Sequence, residues 1–266
     1  MASNLWTDLE ALRRLARSQR VARFVQGVGT TSSRGAPPSG PFPPFPKLPE
    51  LEIHAMDLTA RLATGDFCDF FFLSESEMAL VMADVSGKGG PAAVLRGVTR
   101  SVLRNLASTE ASPGETLSRL NRILCEANLG SMFLTLFLGQ YRISTGLLRY
   151  ANAGHPVPFR IGKDGGVGPF GEVTGPILGI LDSRVYADRE GWLAVGDKLV
   201  LFTDGVTEAR DRGGNFFAPS RLQACLEEEA ASPPDVLCES LGRSVRTFQR
   251  SLPQDDATVL VLQRNL

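Results

Sequence analysis

Residues 83–90 have the sequence ADVSGKGG and lie between an apolar run at 78–83 and a helical pattern that begins at Pro91. The apolar run predicts a buried strand, so Asp84 is expected at the tip of a strand, in a tight turn. Glycines let other groups approach the backbone, and the N-terminus of a helix favours an anion such as phosphate. Taken alone, the pattern favours an ordinary strand-to-helix turn in which an aspartate caps the helix.

Three further stretches place aspartate at the end or edge of an apolar run, usually beside glycine. They are TGDFCDFF at 64–71, FTDGVTEA at 202–209 and DDAT at 255–258. Hard divalent cations such as Mg²⁺ and Mn²⁺ prefer oxygen ligands, which carboxylates at strand ends supply. One such aspartate indicates a turn, whereas four of them in one chain suggest a metal site.

The composition limits the class of protein. A chain of 266 residues can hold one large domain or two small ones, and a hydrophobic content of 43% predicts a sizeable core. The net charge of -1 argues against a protein that binds nucleic acid through phosphate contacts. We expect no membrane span, because no apolar run is long enough, and the N-terminus lacks the features of a signal peptide.

The four cysteines show no CxxC pairing, and the chain has only two histidines. This pattern excludes a histidine-rich zinc site and is typical of reduced thiols. We therefore expect a cytoplasmic protein.

The sequence predicts three segments. Residues 1–29 are expected to form a basic amphipathic helix that could be a simple linker, dock on a partner, pair two chains or lie on a membrane surface. Residues 30–49 are rich in Pro, Gly and Ser and predict a flexible linker. Residues 50–266 are expected to form the catalytic domain.

Within that domain, strands come in runs and helices come in pairs, which predicts an α+β fold with antiparallel sheets. Strands are expected at 51–63, 66–73, 78–84, 132–143, 147–151, 157–161, 198–202 and 258–262. Helices are expected at 91–106, 113–127, 220–230 and 234–250, and residues 162–176 are expected to be mostly loop.

The chain offers no convincing protein nucleophile. It lacks a G-x-S-x-G elbow, and the glycines around Lys88 do not have the spacing of a Walker A loop. A pair of metal ions needs no such residue, because it can generate a nucleophile from water and stabilise an in-line phosphoryl displacement.

Six stretches together resemble the SpoIIE/RsbU-type branch of the metal-dependent PPM (type 2C) serine/threonine protein phosphatases. They occur in the family's order from about residue 50 to the C-terminus: TGDFCDFF, ADVSGKGGPAA, MFLTLFLG, YANAGHP, GDKLVLFTDGVTEA and DDATVLVL. The resemblance implies two stacked antiparallel β-sheets flanked by α-helices on both outer faces. It also implies two Mn²⁺ or Mg²⁺ ions and hydrolysis of phosphoserine or phosphothreonine on a protein.

In this branch the implied substrate is a phosphorylated STAS-type anti-anti-sigma factor in a partner-switching pathway. The alternative is a catalytically inactive module of the same fold that binds a phosphoprotein. By resemblance, Asp84 bridges the two metals and the backbone carbonyl of Val85 contacts one of them. Asp204 and Asp255 bind the second metal, and Asp66 lies at the edge of the cluster, in contact directly or through water.

Several roles stay open. Asp256 could replace Asp255 as a ligand or could bond the backbone instead. Asp69 is interpreted as a structural hydrogen-bond acceptor, although it could also reach a metal-bound water. Lys88 is either a phosphate contact or a solvated turn residue. The residues expected to hold turns in shape are Asn152, His155, Thr207 and Glu208.

Overall fold

A computed structural model describes residues 42, 45–46, 48–58, 65–87, 89–127, 132–249 and 255–266. The predicted N-terminal helix, most of the predicted linker and Lys88 lie outside the described residues. The division into three segments therefore stays a prediction.

The described strands form two antiparallel sheets of five strands each. Sheet A has the order β1 (Leu51–Asp57), β10 (Thr258–Arg264), β9 (Lys198–Phe202), β6 (Phe159–Ile161), β7 (Val167–Pro169). Sheet B has the order β2 (Phe67–Phe72), β3 (Glu77–Val85), β4 (Leu134–Arg142), β5 (Leu147–Ala153), β8 (Arg189–Trp192).

Five helices are described: α1 (Gly90–Thr109), α2 (Pro113–Ala127), α3 (Asp204–Thr207), α4 (Ala218–Glu228) and α5 (Pro234–Gln249). Helices α1 and α2 cover the outer face of sheet B, and α4 and α5 cover the outer face of sheet A. The predicted fold class, two stacked antiparallel sheets with helices on both outer faces, is confirmed. None of the described helices is long and apolar enough to cross a membrane.

Strand β3 shows why the layers stack in this order. Met78, Leu80 and Met82 point into the core between the two sheets. Ala79, Val81 and Ala83 alternate with them and point toward α1 and α2. Because successive side chains of a strand face opposite sides, a strand buried on both sides needs the unbroken apolar run that the sequence shows at 78–83.

The start of α2 follows its sequence signature. The backbone N–H of Glu115 donates to Ser112 Oγ at 3.2 Å, and Glu115 Oε2 accepts from the N–H of Ala111 at 3.1 Å. The serine cap and the glutamate one turn later thus satisfy two backbone donors, in a variant of the capping box in which the glutamate bonds the N–H of Ala111 and not that of Ser112.

The structure adds three elements to the prediction. The segment 162–176 contains the short strand β7, β8 follows it as an edge strand beside β5, and α3 forms one turn after β9. Strand β8 carries Arg189 and Glu190 and is largely exposed, so it has no apolar run to mark it. The first strand spans Leu51–Asp57, and residues 59–63 of the predicted strand lie outside the described residues.

Candidate metal site

Asp66 and Asp84 come together at one end of sheet B. Strands β2 and β3 pair in a register that places Phe67 against Ala83, so that Asp66 lies opposite Asp84. The two carboxyl groups share a hydrogen bond. Asp66 is buried with 5% of its surface exposed, and Asp84 is half-buried.

Asp204 and Asp255 come from the adjoining end of sheet A. Strand β9 ends at Phe202, and after Thr203 the helix α3 begins with Asp204. Strand β10 begins beside that end, because Val259 pairs with Phe202. Asp255 precedes β10 by three residues, and its charge acts on both Asp84 and Asp204.

Two hydrogen bonds join the ends of the two sheets. The first runs from Thr203 Oγ1 in sheet A, which donates to Asp66 Oδ2 at 2.6 Å. Thr203 Oγ1 is itself fixed within sheet A, because it accepts from the backbone N–H of Thr258 at 2.9 Å. The backbone N–H of Gly65 donates to Asp256 Oδ2 at 3.0 Å. These bonds bring the aspartates of both sheets to one place.

The carboxylates perturb one another. Burial raises the pKa of Asp66 well above its usual range, and the charge of Asp84 adds to the effect. Burial followed by the charge of Asp84 raises the pKa of Asp204 to about 6. Burial also raises the pKa of Asp84, with a further rise from the charges of Asp255 and Asp256. Such a cluster holds surplus negative charge that a cation would neutralise.

The donor set fits a hard divalent cation, because every candidate ligand atom is an oxygen. As the side chains stand, no group of three or more His, Cys, Asp or Glu residues among the described ones could hold a metal ion. The fit therefore rests on the chemistry of the ligands and on the mutual repulsion of the carboxylates, which an ion would relieve.

The Val85 carbonyl lies at the same place. A Cβ atom built on Gly65 would come within 2.5 Å of that carbonyl oxygen and 3.6 Å of Asp84 Oδ1. Residue 65 must therefore be glycine for its backbone to pass so close to the end of β3. The structure thus places the five predicted site residues at the adjoining ends of the two sheets: Asp66, Asp84, Val85, Asp204 and Asp255.

The residues left open take clearer positions. Asp256 Oδ2 accepts from the backbone N–H of Gly65. This is the backbone bond that the sequence analysis set against a role for Asp256 as a metal ligand. Asp69 lies away from the cluster and accepts hydrogen bonds from Arg100 and Arg104 on both carboxylate oxygens, so it is a structural acceptor. Lys88 is outside the described residues.

The NAGHP turn is organised by its own side chains. Asn152 Nδ2 donates to the His155 carbonyl at 3.0 Å, and the N–H of His155 donates to Asn152 Oδ1 at 2.8 Å. Burial lowers the pKa of His155 to about 3, so its imidazole is neutral at neutral pH. Its Nδ1 lies 2.8 Å from Thr135 Oγ1, on the residue that pairs with Asp84.

Glu208 also belongs to the acidic cluster, a role that was not predicted from the sequence. Its backbone N–H donates to the Asp204 carbonyl at 2.7 Å, which confirms its place in the turn. Its charge in addition raises the pKa values of Asp84 and Asp204. The available signal was its position one helical turn after Asp204 in TDGVTE.

Comparison with known proteins identifies the family. The family described as Stage II sporulation protein E (SpoIIE) matches residues 74–265. Among curated proteins, the phosphoserine phosphatase RsbU of Bacillus subtilis is 32% identical over 216 residues, which cover 81% of this chain and 64% of RsbU. The chain thus spans just under two thirds of that relative.

Solved structures agree with this assignment. The RsbU and RsbW domains of Rv1364c from Mycobacterium tuberculosis superpose with a TM-score of 0.72 at 26% identity, over 82% of this chain and 60% of that one. The PP2C phosphatase domain of SpoIIE from Bacillus subtilis, with a fragment of its regulatory domain, gives 0.70 at 18% identity, over 81% and 64%. The second likeness shows the fold alone. The chain therefore belongs to the SpoIIE family of PP2C-type phosphatase domains.

Proposed function

We propose that this chain hydrolyses phosphoserine or phosphothreonine on a protein in a metal-dependent reaction. The observation that carries the proposal is the convergence of Asp66 and Asp84 from sheet B with Asp204 and Asp255 from sheet A. The name of the relative RsbU, a phosphoserine phosphatase, supports the same reaction.

The cofactor in this proposal is a pair of Mn²⁺ or Mg²⁺ ions. Asp84 and the Val85 carbonyl would hold them from sheet B, Asp204 and Asp255 from sheet A, and Asp66 at the edge. When bound, such ions make water a strong nucleophile at neutral pH and stabilise negative charge on a phosphoryl group.

The protein itself orients and shields these groups. The hydroxyl of Thr203 donates to Asp66 Oδ2, and this bond fixes the orientation of the whole Asp66 carboxyl group. His155 is neutral and buried, with 1% of its surface exposed, so it supports the fold of the site and does not donate the leaving-group proton. The buried thiols Cys68 and Cys238 have raised pKa values because of burial, so neither is an activated nucleophile.

A protein substrate is favoured over a small metabolite by the surface beside the site. The backbone N–H of Ser86, two residues after Asp84, donates to the Phe133 carbonyl at 2.9 Å, and the N–H of Phe133 donates to Ser86 Oγ at 2.8 Å. The neighbouring segment pairs through Leu178 with Leu134. Exposed apolar side chains collect here: Phe133 (37% exposed), Ile180 (50%) and Leu181 (45%). Such a patch marks a protein interaction surface.

The substrate in this proposal is a phosphorylated STAS-type anti-anti-sigma factor, and the setting is a cytoplasmic partner-switching pathway. The family resemblance and the relative RsbU support it. The same proposal includes regulation through the N-terminal segment, by a partner or by pairing of two chains.

The direct test is turnover of p-nitrophenyl phosphate and of a phosphorylated STAS protein with Mn²⁺, with Mg²⁺ and with EDTA. We expect activity with metal and none with EDTA. The Asp84→Asn and Asp204→Asn variants should stay folded and lose at least about 100-fold in kcat. The matched control Asp164→Asn changes an exposed turn and should keep full activity. A folded wild-type chain that binds the phosphoprotein without turnover would identify the inactive binding module instead.

The choice of substrate is tested separately with Leu181→Asp, since a charge in the apolar patch should weaken protein docking. We expect a lower kcat/KM for the phosphoprotein and an unchanged value for p-nitrophenyl phosphate. Val195→Asp is the matched control, because Val195 is similarly exposed (48%) and precedes the opposite end of β9. Equal effects of the two variants on the phosphoprotein would argue against this docking surface.

A further inference from the structure

Asp69 is held by two arginines of one helix. Arg104 Nε and Nη2 donate to Asp69 Oδ2 and Oδ1, both at 2.6 Å. Arg100 Nε and Nη2 donate to the same two oxygens at 3.0 and 3.2 Å. Only 1% of the Asp69 side chain is exposed, against 12% and 20% for Arg100 and Arg104. We call these three residues the Asp69 clamp.

The clamp lies in an otherwise apolar layer. Phe67 and Phe71, on either side of Asp69 along β2, pack into the core between sheet B and helices α1 and α2. The guanidinium carbon of Arg104 lies 4.6 Å from the centre of the Phe71 ring. A buried ion cluster of this kind need not raise the stability of the fold, because apolar residues of similar volume often stabilise a core as much. It does fix geometry, since the planar guanidinium groups of the two arginines bond the carboxylate in one orientation.

The clamp joins β2, which follows Asp66, to α1, which follows β3 and its Asp84. Asp66 precedes Asp69 by three residues at the start of β2, and α1 begins six residues after Asp84. The turn between Asp84 and α1 contains Gly87 and Gly89 at φ values of 96° and 81°. Residue 89 provides no side-chain cap for α1. The turn gives α1 no side-chain cap, so α1 is held by contacts further along its length: its buried apolar face and the bonds of Arg100 and Arg104 to Asp69.

We propose that Asp69 is a positioning residue for the candidate metal site. Through Arg100 and Arg104 it fixes α1 against β2, and it thereby fixes the turn from Val85 to Gly90 and Asp84 relative to Asp66. This inference rests on the function proposed above. It adds a helix-to-strand tie to the strand pairing that already places Asp66 opposite Asp84.

The test uses the full chain with Asp69→Asn, which keeps the size of the side chain and removes its charge. We expect Mn²⁺ binding, measured by calorimetry, to weaken about tenfold. We expect kcat for p-nitrophenyl phosphate to fall while KM stays unchanged. Amide hydrogen exchange of the peptide that spans Val85 to Gly90 should become faster, and this readout needs neither metal nor turnover.

Two controls separate positioning from general stability. Glu77→Gln makes the same kind of change in a more exposed pair, where Arg142 Nε and Nη2 donate to Glu77 Oε1 at 3.0 and 2.9 Å, and should leave Mn²⁺ binding unchanged. Val245→Ala removes buried volume in α5 on the opposite sheet and lowers stability without touching the clamp. All measurements are made well below the melting temperature of each variant.

The outcomes are distinct. If Asp69→Asn matches Val245→Ala in Mn²⁺ affinity and in exchange of the turn, the clamp does not position the site. If Asp69→Asn does not fold, Arg104→Lys decides, because lysine keeps the charge but cannot form the fork; unchanged Mn²⁺ affinity and exchange would then overturn the proposal. If the wild type binds no Mn²⁺, the proposed function fails, and the exchange measurement alone decides the role of the clamp.

Discussion

Thr203 Oγ1 lies 2.6 Å from Asp66 Oδ2 and donates a hydrogen bond to it across the two sheets. Thr203 follows the last residue of β9 in sheet A, and Asp66 precedes the first residue of β2 in sheet B. The same hydroxyl oxygen accepts from the N–H of Thr258 at the start of β10. One buried side chain thus sets the relative position of three chain segments that carry candidate ligands.

Replacement of Thr203 by valine should destabilise the domain. Valine has nearly the same shape but leaves the N–H of Thr258 and one oxygen of Asp66 without this partner, which should cost about 1–3 kcal/mol of unfolding free energy. Urea unfolding of wild type, Thr203→Val and Thr203→Ser measures the effect. Serine keeps the hydroxyl, so it should restore most of the loss. Equal losses for serine and valine would show that the methyl group, and not the hydrogen bond, matters.

The two neighbouring aspartates at 255 and 256 should separate into a ligand and a structural acceptor. Asp255 is exposed, so Asp255→Ala should change stability by less than about 0.5 kcal/mol. The same variant should weaken Mn²⁺ binding at least about tenfold. Asp256→Ala removes the acceptor for the Gly65 N–H and should cost about 1–2 kcal/mol of stability.

Calorimetric Mn²⁺ titration and thermal unfolding of both variants give the two numbers. Stronger loss of Mn²⁺ binding in Asp256→Ala than in Asp255→Ala would exchange the roles of the two residues.

Glycine at position 205 is required by the backbone that faces it. A Cβ atom there would come within 1.8 Å of the Asp256 carbonyl oxygen, so either α3 or the segment before β10 would have to move. We expect Gly205→Ala to lose about 3 kcal/mol of stability and most Mn²⁺ binding. Gly97→Ala is the matched control, because nothing lies within 4 Å of a Cβ at that site in α1. It should stabilise the domain by up to about 1 kcal/mol. A Gly205→Ala variant as stable as wild type would contradict the close approach.

Much of the fold follows from local patterns in the sequence. The run Lys198–Phe202, apolar after its first residue, forms a strand with the predicted bounds, and the cap at Ser112 begins α2 where it was expected. Strand β7 spans only three residues and includes Gly168 and Pro169, so it has neither the length nor the residue types that mark a strand.

The site was predicted from four aspartate motifs, and the structure gathers the residues named from them. The contacts that hold them together were not visible in the sequence, because they join residues far apart along the chain. The bond from Thr203 to Asp66 spans 137 positions, and the bond from Gly65 to Asp256 spans 191. The Asp69 clamp was missed for the same reason, since nothing local to Asp69 indicates which arginines of the next helix it binds.

The N-terminal segment is best tested by two truncations, because part of the predicted linker contacts the domain. Phe42 and Leu48 pack against the core between the sheets. The ring of Phe45 stacks on those of His54 and Phe70, with centroids 5.1 and 5.7 Å apart. A chain that begins at Phe42 keeps these contacts, whereas one that begins at residue 49 loses them.

Deletion of residues 1–41 should therefore leave the unfolding free energy unchanged, and deletion of residues 1–48 should lower it by about 1–3 kcal/mol. If the basic helix predicted at 1–29 regulates the domain, deletion of 1–41 should also change the apparent Mn²⁺ affinity or the mass in solution. A tenfold change in affinity needs a difference of only about 1.4 kcal/mol between two states, which one apolar helix face can supply. Metal titration and light scattering of both truncations and the full chain make the comparison. Identical titration curves and masses for the full chain and the 1–41 deletion would remove the N-terminal segment as the control element.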